Sequence, residues 1–152
     1  MNLFKNVHES WIPLLHSLSY KEPLMSFLNS LTDISYQPEY KKIFKVFEMP
    51  VEEIKVVVLG YAPSPIPGVA TGLAFASTSE EKMSGSLLNI EKEIIWAEGV
   101  DVMEDATGKK WRTLTHWKKQ GVFLLNTVLT VETSDINSHV DYWRDFSEAV
   151  IP

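Results

Sequence analysis

Cysteine is absent from this 152-residue chain, which excludes disulfides and thiolate-held metals and fits a reducing compartment. Long apolar runs are missing too. Nothing approaches the roughly 20 residues of a membrane-spanning helix, and the amino end, MNLFKNVHESW, lacks the continuous apolar stretch of a secretion signal. These absences lead us to expect a soluble intracellular protein, cytoplasmic or nuclear according to its host. Basic residues are few, 14 Lys and Arg against 20 Asp and Glu, for a net charge of −6. Affinity for nucleic acid comes largely from neutralising phosphates, so this balance argues against a broadly basic surface and leaves room only for a segregated one. The four histidines, His8, His16, His116 and His139, have no metal-ligand spacing, and no serine sits in a G-x-S-x-G elbow. We therefore expect no metal, no cofactor and no hydrolase triad.

What is present reads as one domain over residues 1–152, with 45% hydrophobic and 22% charged residues, a globular balance. Trp11, Leu14, Leu15 and Leu18 share a helical stripe, as do Leu24, Phe27, Leu28 and Leu31, with Pro23 in a first turn that tolerates it. Pro38 is expected to open a third helix carrying Tyr40, Ile43, Phe44 and Phe47. The period then changes. Residues 54–59 (IKVVVL) are β-branched and almost wholly apolar, the pattern of a parallel strand covered on both faces. Leu87, Ile90 and Ile94 mark a helix that Ser86 is expected to cap and Gly99 to stop, with Glu91 and Glu93 on its exposed face. Residues 121–125 (GVFLL) read as a second buried strand. Val140, Trp143, Phe146 and Val150 mark a last helix, with Ser138 as its expected cap. Strand, helix, strand, helix is a βαβ unit. Two strands make a small sheet, since about four to six are usual. Either the sheet continues outside this sequence, or another polypeptide extends it, or residues 73–76 pair with it.

Ligands of open α/β sheets bind beyond the carboxyl ends of the strands. Here those ends are Gly60, with the loop YAPSPIPGVATGLAF after it, and Asn126 directly after GVFLL. An Asn amide offers one acceptor and two donors in a plane, matching the polar edge of a pyrimidine, and Phe75 can stack on such a ring. On spacing alone, Asn126 as a turn cap and Phe75 as a core residue fit equally. The loop's glycines and prolines fix a rigid path without forming a G-x-G-x-x-G or Walker sequence. Residues 109–119 (KKWRTLTHWKK) interleave basic groups with two tryptophans, as nucleic-acid grooves do, and also fit a plain solvated face.

Taken together, VVVLGYAPSPIPGVATGLAFAS, SLLNIEKEI, HWKKQGVFLLNTVLTV and NSHVDYWRDFSEAVI resemble, in order and spacing, the uracil-DNA glycosylases of the common family 1 type. The resemblance runs from about His8 to the last residue. It implies a three-layer α/β/α fold with a short parallel sheet, the amino-terminal part of the family fold, truncated after the second βα unit. It also implies a substrate pocket of Gly60, Tyr61, Ala62, Ser64, Phe75 and Asn126, with Phe75 stacking on an extruded uracil and Asn126 reading its edge. Ser84, Ser86 and His139 are placed against DNA.

The departures from the family pattern fall on the chemistry. Ala62 stands where the family has the Asp that positions the attacking water, and a methyl group cannot do that work. Ser64 replaces the Tyr that excludes 5-methyl pyrimidines, Pro65 replaces a His, and Tyr61 replaces a Gln. A later His-containing segment of the family has no counterpart after Ile151. The resemblance with these departures implies a homologue with lost or weakened base excision that acts by binding DNA or a protein partner completing or extending the fold. Its alternative is an active glycosylase that hydrolyses the N-glycosidic bond of uracil or a 5-substituted pyrimidine.

Overall fold

A computed structural model of the chain describes residues 4–17, 21–31, 35–78, 84–99 and 112–151. The amino-terminal third is helical in short pieces: a 3-10 turn Glu9–Trp11, then α1 (Ile12–Ser17) and α2 (Lys21–Ser30). Trp11 and Leu15 bury one stripe and Leu24, Phe27, Leu28 and Leu31 the other; Leu18 lies outside the described residues. The helix expected from Pro38 is instead a two-residue strand β1 (Tyr36–Gln37) followed by 3-10 turns at Tyr40–Lys42 and Lys45–Glu48. Ile43, Phe44, Val46 and Phe47 are all buried; positions i, i+1, i+3 and i+4 lie on one helical face, so this pattern does not by itself separate an α-helix from the short 3-10 turns observed.

Strand β2 (Val56–Gly60) pairs in parallel with β3 (Val122–Asn126), from Val56 opposite Val122 to Gly60 opposite Asn126. Between them lie α3 (Gly85–Glu98) and the short α4 (Thr115–Lys119); after them come β4 (Val131–Glu132), antiparallel to β1, and α5 (Val140–Val150). The fold is thus mixed α/β with a short parallel sheet. Residues 73–76 add no strand, although the Ala74 amide donates to the Leu124 carbonyl at 2.9 Å.

The core sits under β3. The Phe123 ring stacks on Trp11 at 5.2 Å and meets Phe47 edge-on at 5.7 Å. Phe47 and Trp143 both contact Phe146, and the Trp11 indole N–H donates to the Met49 carbonyl at 2.7 Å. Burying each such ring contributes about 1.5–3 kcal/mol.

Several expectations need correcting. β2 is not covered on both faces: Val56 and Val57 are each 52% exposed, because among the described residues β2 has β3 as its one neighbour. The cap of α3 is Ser84, whose hydroxyl oxygen accepts the Leu87 amide at 3.1 Å, one residue before the glycine that starts the helix. Gly99 does end it, with φ 68°. Glu91 is buried and faces Arg112 at 3.8 Å, whereas Glu93 is exposed as expected. His139, not Ser138, occupies the cap position of α5 and makes no side-chain cap bond; Ser138 bonds the Glu132 amide at 2.7 Å instead. In the basic segment, residues 109–111 lie outside the described residues, and Lys118 is committed to Glu48 at 2.8 Å and to the Lys45 carbonyl. No helix among the described residues is long and apolar enough to cross a membrane.

Candidate base-binding cleft

The two parallel strands end side by side, and the loops leaving them are bonded together. The Thr127 amide donates to the Gly60 carbonyl and the Val128 amide to the Tyr61 carbonyl, both at 2.9 Å. The Thr127 hydroxyl adds a 3.0 Å bond to the Tyr61 carbonyl. Gly60 is required here by contact: a Cβ on it would overlap the Asn126 amide oxygen and come within 2.8 Å of the Ala74 methyl. The absent side chain lets the Asn126 amide lie flat against the end of β2, where it is 7% exposed.

The long loop after Gly60 is pinned at several points. The Gly68 amide donates to Gln37 Oε1 at 3.2 Å, Ala70 bridges Ser77, and the Thr78 amide donates to the Val69 carbonyl at 3.1 Å. Phe75 takes a left-handed backbone conformation, φ 64°, which costs a non-glycine residue on the order of 1 kcal/mol or more and persists where surrounding structure enforces it. The Ala74–Leu124 bond and the Ala70–Ser77 bridge, on either side of Phe75, do so.

These constraints enclose a cavity of about 380 Å³ lined by all the loop residues singled out from sequence, Tyr61, Ala62, Ser64 and Phe75, together with Asn126, Ser84 and Ser86. Gly60, also expected in the pocket, does not line it and instead packs behind Asn126. A pocket of this size suits a small planar ligand. Its described walls carry hydroxyls (Tyr61, Ser64, Thr71, Ser77, Ser84 and Ser86) and one carboxamide, but no Asp, Glu, His, Lys or Arg. The site can therefore stack and hydrogen-bond a flat polar ring; it brings no carboxylate or imidazole to it. Among the described residues no group of three or more His, Cys, Asp or Glu gathers as a metal site would.

His139 does not join this cavity. It is 2% exposed, its Nδ1 lies 3.0 Å from the Thr130 hydroxyl, and its ring meets Phe27 edge-on at 4.9 Å. Trp143 Nε1–H donates to the same Thr130 oxygen at 2.7 Å. Burial therefore dedicates His139 to an interior network and pushes its pKa down, against smaller opposing effects of Glu132, Thr130 and Asp135. Conversely, sequence reasoning missed Ile136, half exposed on the rim of the cavity, and Asn137, whose Oδ1 accepts the Tyr61 hydroxyl at 2.6 Å. No sequence signal marked them: they lie in the turn between β4 and α5.

A cavity at the carboxyl ends of two parallel strands is where ligands of open α/β sheets bind, and the mixed α/β fold places this one there. Residues 47–151 match the family model of the uracil DNA glycosylase superfamily. The uracil-DNA glycosylase of Psychromonas ingrahamii is 36% identical over 149 residues, 94% of this chain and 66% of the relative. That of Corynebacterium efficiens is 37% identical over 150 residues, 95% of this chain and 61% of the relative. Among solved structures, the mimivirus uracil-DNA glycosylase is similar with a TM-score of 0.83 at 25% identity, covering 99% of this chain and 57% of that one. The chain therefore belongs to the uracil-DNA glycosylase family, of the family 1 type, and spans about two thirds of the length of the relatives it matches.

Proposed function

We propose that the cleft takes up a uracil or 5-substituted pyrimidine extruded from DNA, and that hydrolysis of its N-glycosidic bond is the reaction the site serves, at a rate held low by Ala62. Family membership and the names of the relatives support the reaction type. The observation that carries the reading is the pairing of Phe75 and Asn126 around one cavity with Ala62 on its wall. Phe75 supplies a face for stacking. The Asn126 carboxamide supplies a donor and an acceptor in one plane, complementary to the imide edge of uracil. Ser64 leaves space beside the ring, so a 5-methyl or 5-hydroxymethyl group is admitted. Ser84 and Ser86, exposed at the cleft mouth and at the start of α3, are placed to bond phosphate oxygens.

Hydrolysis needs a water aligned on C1′ and negative charge opposite the developing sugar cation. A general base contributes typically about a hundredfold or more, and the Ala62 methyl contributes none of it. A second reading, that excision is lost and the chain acts by binding DNA or a protein partner, is favoured by the same absence of ionisable groups from the described walls.

An abasic-site assay on oligonucleotides bearing uracil, thymine or 5-hydroxymethyluracil, run beside fluorescence anisotropy on the same duplexes, separates the readings. Slow release of base that Ala62→Asp raises about a hundredfold supports hydrolysis. Tight, base-dependent binding with no release from either protein supports the binding role. Binding indifferent to the base, and unchanged by Asn126→Ala, removes both.

A further inference from the structure

Two walls of the cavity meet a common brace. One wall is the start of α3, where Ser84 and Ser86 line the cleft mouth; the other is the loop over residues 70–77, which carries Phe75. Arg112 touches both. Its carbonyl accepts the Ser77 amide at 2.9 Å, beside the Ala70–Ser77 bridge that closes the loop around Phe75. Its guanidinium faces the Glu91 carboxylate, 3.8 Å away on the second turn of α3. The two side chains are 7% and 15% exposed. Glu91 falls on the stripe of Leu87 and Ile94, at helical spacings of four and three, where a leucine would continue the apolar contact. Ion pairs taken out of water recover little of what dehydrating them costs, and apolar pairs of similar size are often as stable or more so. What the charges add is selectivity of partner: a leucine accepts any apolar neighbour, whereas a buried carboxylate is strongly destabilised when its cation moves away.

We propose that Glu91 and Arg112 are positioning residues that set the distance between the phosphate-binding end of α3 and the stacking ring of Phe75. The inference rests on the reading proposed for the cleft, in which Ser84 and Ser86 bond phosphate and Phe75 stacks on the extruded base. Phe75 has little freedom to adjust by itself. Its backbone is held at φ 64°, between the Ala74 amide bonded to Leu124 and the Ser77 amide bonded to Arg112. Ser86 precedes Glu91 by five residues, about 7.5 Å along the helix axis, so a small tilt of α3 at Glu91 shifts both serines relative to the ring. A nucleotide has a fixed reach from phosphate to base. A phosphate held in the wrong place therefore draws the base away from Phe75 and Asn126, and a misplacement of about 1 Å can cost on the order of a hundredfold in rate.

The test measures the double variant Glu91→Leu/Arg112→Leu by fluorescence anisotropy, on a single strand bearing one uracil and on the same strand with a tetrahydrofuran abasic analogue in its place. We expect a melting temperature no lower than that of the unaltered protein and a preference for the uracil strand over the abasic strand that falls roughly tenfold or more. A preference that survives in the folded double variant, or affinities for the two strands that fall together, would overturn the proposal, as would a drop in melting temperature large enough to account for the loss. A second variant, Glu91→Gln, keeps the shape and removes the charge, and is read by amide exchange. The Ser77 amide is expected to exchange roughly tenfold faster or more, with residues 122–126 unchanged. Ser77 protected as before, or exchange quickened throughout the chain, shows that the pair does not brace the loop. If the unaltered protein has no preference for the uracil strand, the reading of the cleft fails, and Ser77 exchange still decides whether Glu91 and Arg112 brace its walls.

Discussion

β2 and β3 are both five residues long, VVVLG and VFLLN, and pair residue for residue. Yet β3 is buried from Phe123 onward, while in β2 only Gly60 is buried. Composition does not separate them; neighbours do. β3 lies between β2 and the sealed 73–76 loop, over a core of Trp11, Phe47 and Phe146. β2 has the same apolar character and, among the described residues, β3 as its one neighbouring strand. An apolar strand sequence therefore reports the environment a segment is suited to, and the chain around it decides whether that environment exists.

The sharpest way to break this contrast is to remove mass from each strand. Phe123→Ala takes out the ring wedged between Trp11 and Phe47 and is expected to cost about 3–5 kcal/mol, read as a large drop in urea midpoint with an unchanged slope. A small effect would mean that the core does not close under β3. Gly60→Ala tests the one place where β2 is as enclosed as its partner. The added methyl overlaps the Asn126 amide, and overpacking of this kind costs about 1–3 kcal/mol. Because the Asn126 amide must move, binding of uracil-containing DNA should fall along with stability, a coupling absent from substitutions at Val56 or Val57.

The same contrast marks how much the sequence disclosed. Periodicity located α2 and α5 because each buries one contiguous stripe, an unbroken apolar run located β3, and Gly60 and Asn126 were legible because they end the strands. The exposure of β2 was not legible, since it is a property of what is absent beside it. The 3-10 turns over residues 40–48 were misread as a helix because Ile43, Phe44, Val46 and Phe47 fall on one helical face, and the short turns bury the same residues. Ser84 and Ser86 are chemically equivalent caps, separated only by backbone dihedrals. Glu91 looked solvated because Arg112, its counter-charge, comes from a distant segment. His139 sat in a motif that resemblance placed against DNA, and its burial depends on Phe27 and Thr130, which meet it only in the fold.

That buried network gives a pH dependence on the enclosed side of the molecule. Burial holds the His139 imidazole below its ordinary 6.5, so over a range below pH 6.5 the unfolded chain binds a proton that the folded chain does not. Stability is then fully present above about 6.5 and declines as the pH falls toward the folded-state value, levelling below it. Burial moves His116 in the same direction. His139→Gln should flatten the fall in urea midpoint between pH 7.5 and 5 without abolishing it, because His116 remains. An unchanged pH profile would mean that His139 is solvated.

The smallest expected effect is the most discriminating for the strand comparison. Val57→Thr and Val128→Thr exchange the same methyl for the same hydroxyl, leaving volume and branching alike. At Val57 the hydroxyl meets water, and the change should lie within about 0.5 kcal/mol of zero. Val128 is 2% exposed, so its hydroxyl is desolvated and the cost should reach about 1–3 kcal/mol. If the two substitutions cost the same in the isolated chain, the edge of β2 is already covered in solution.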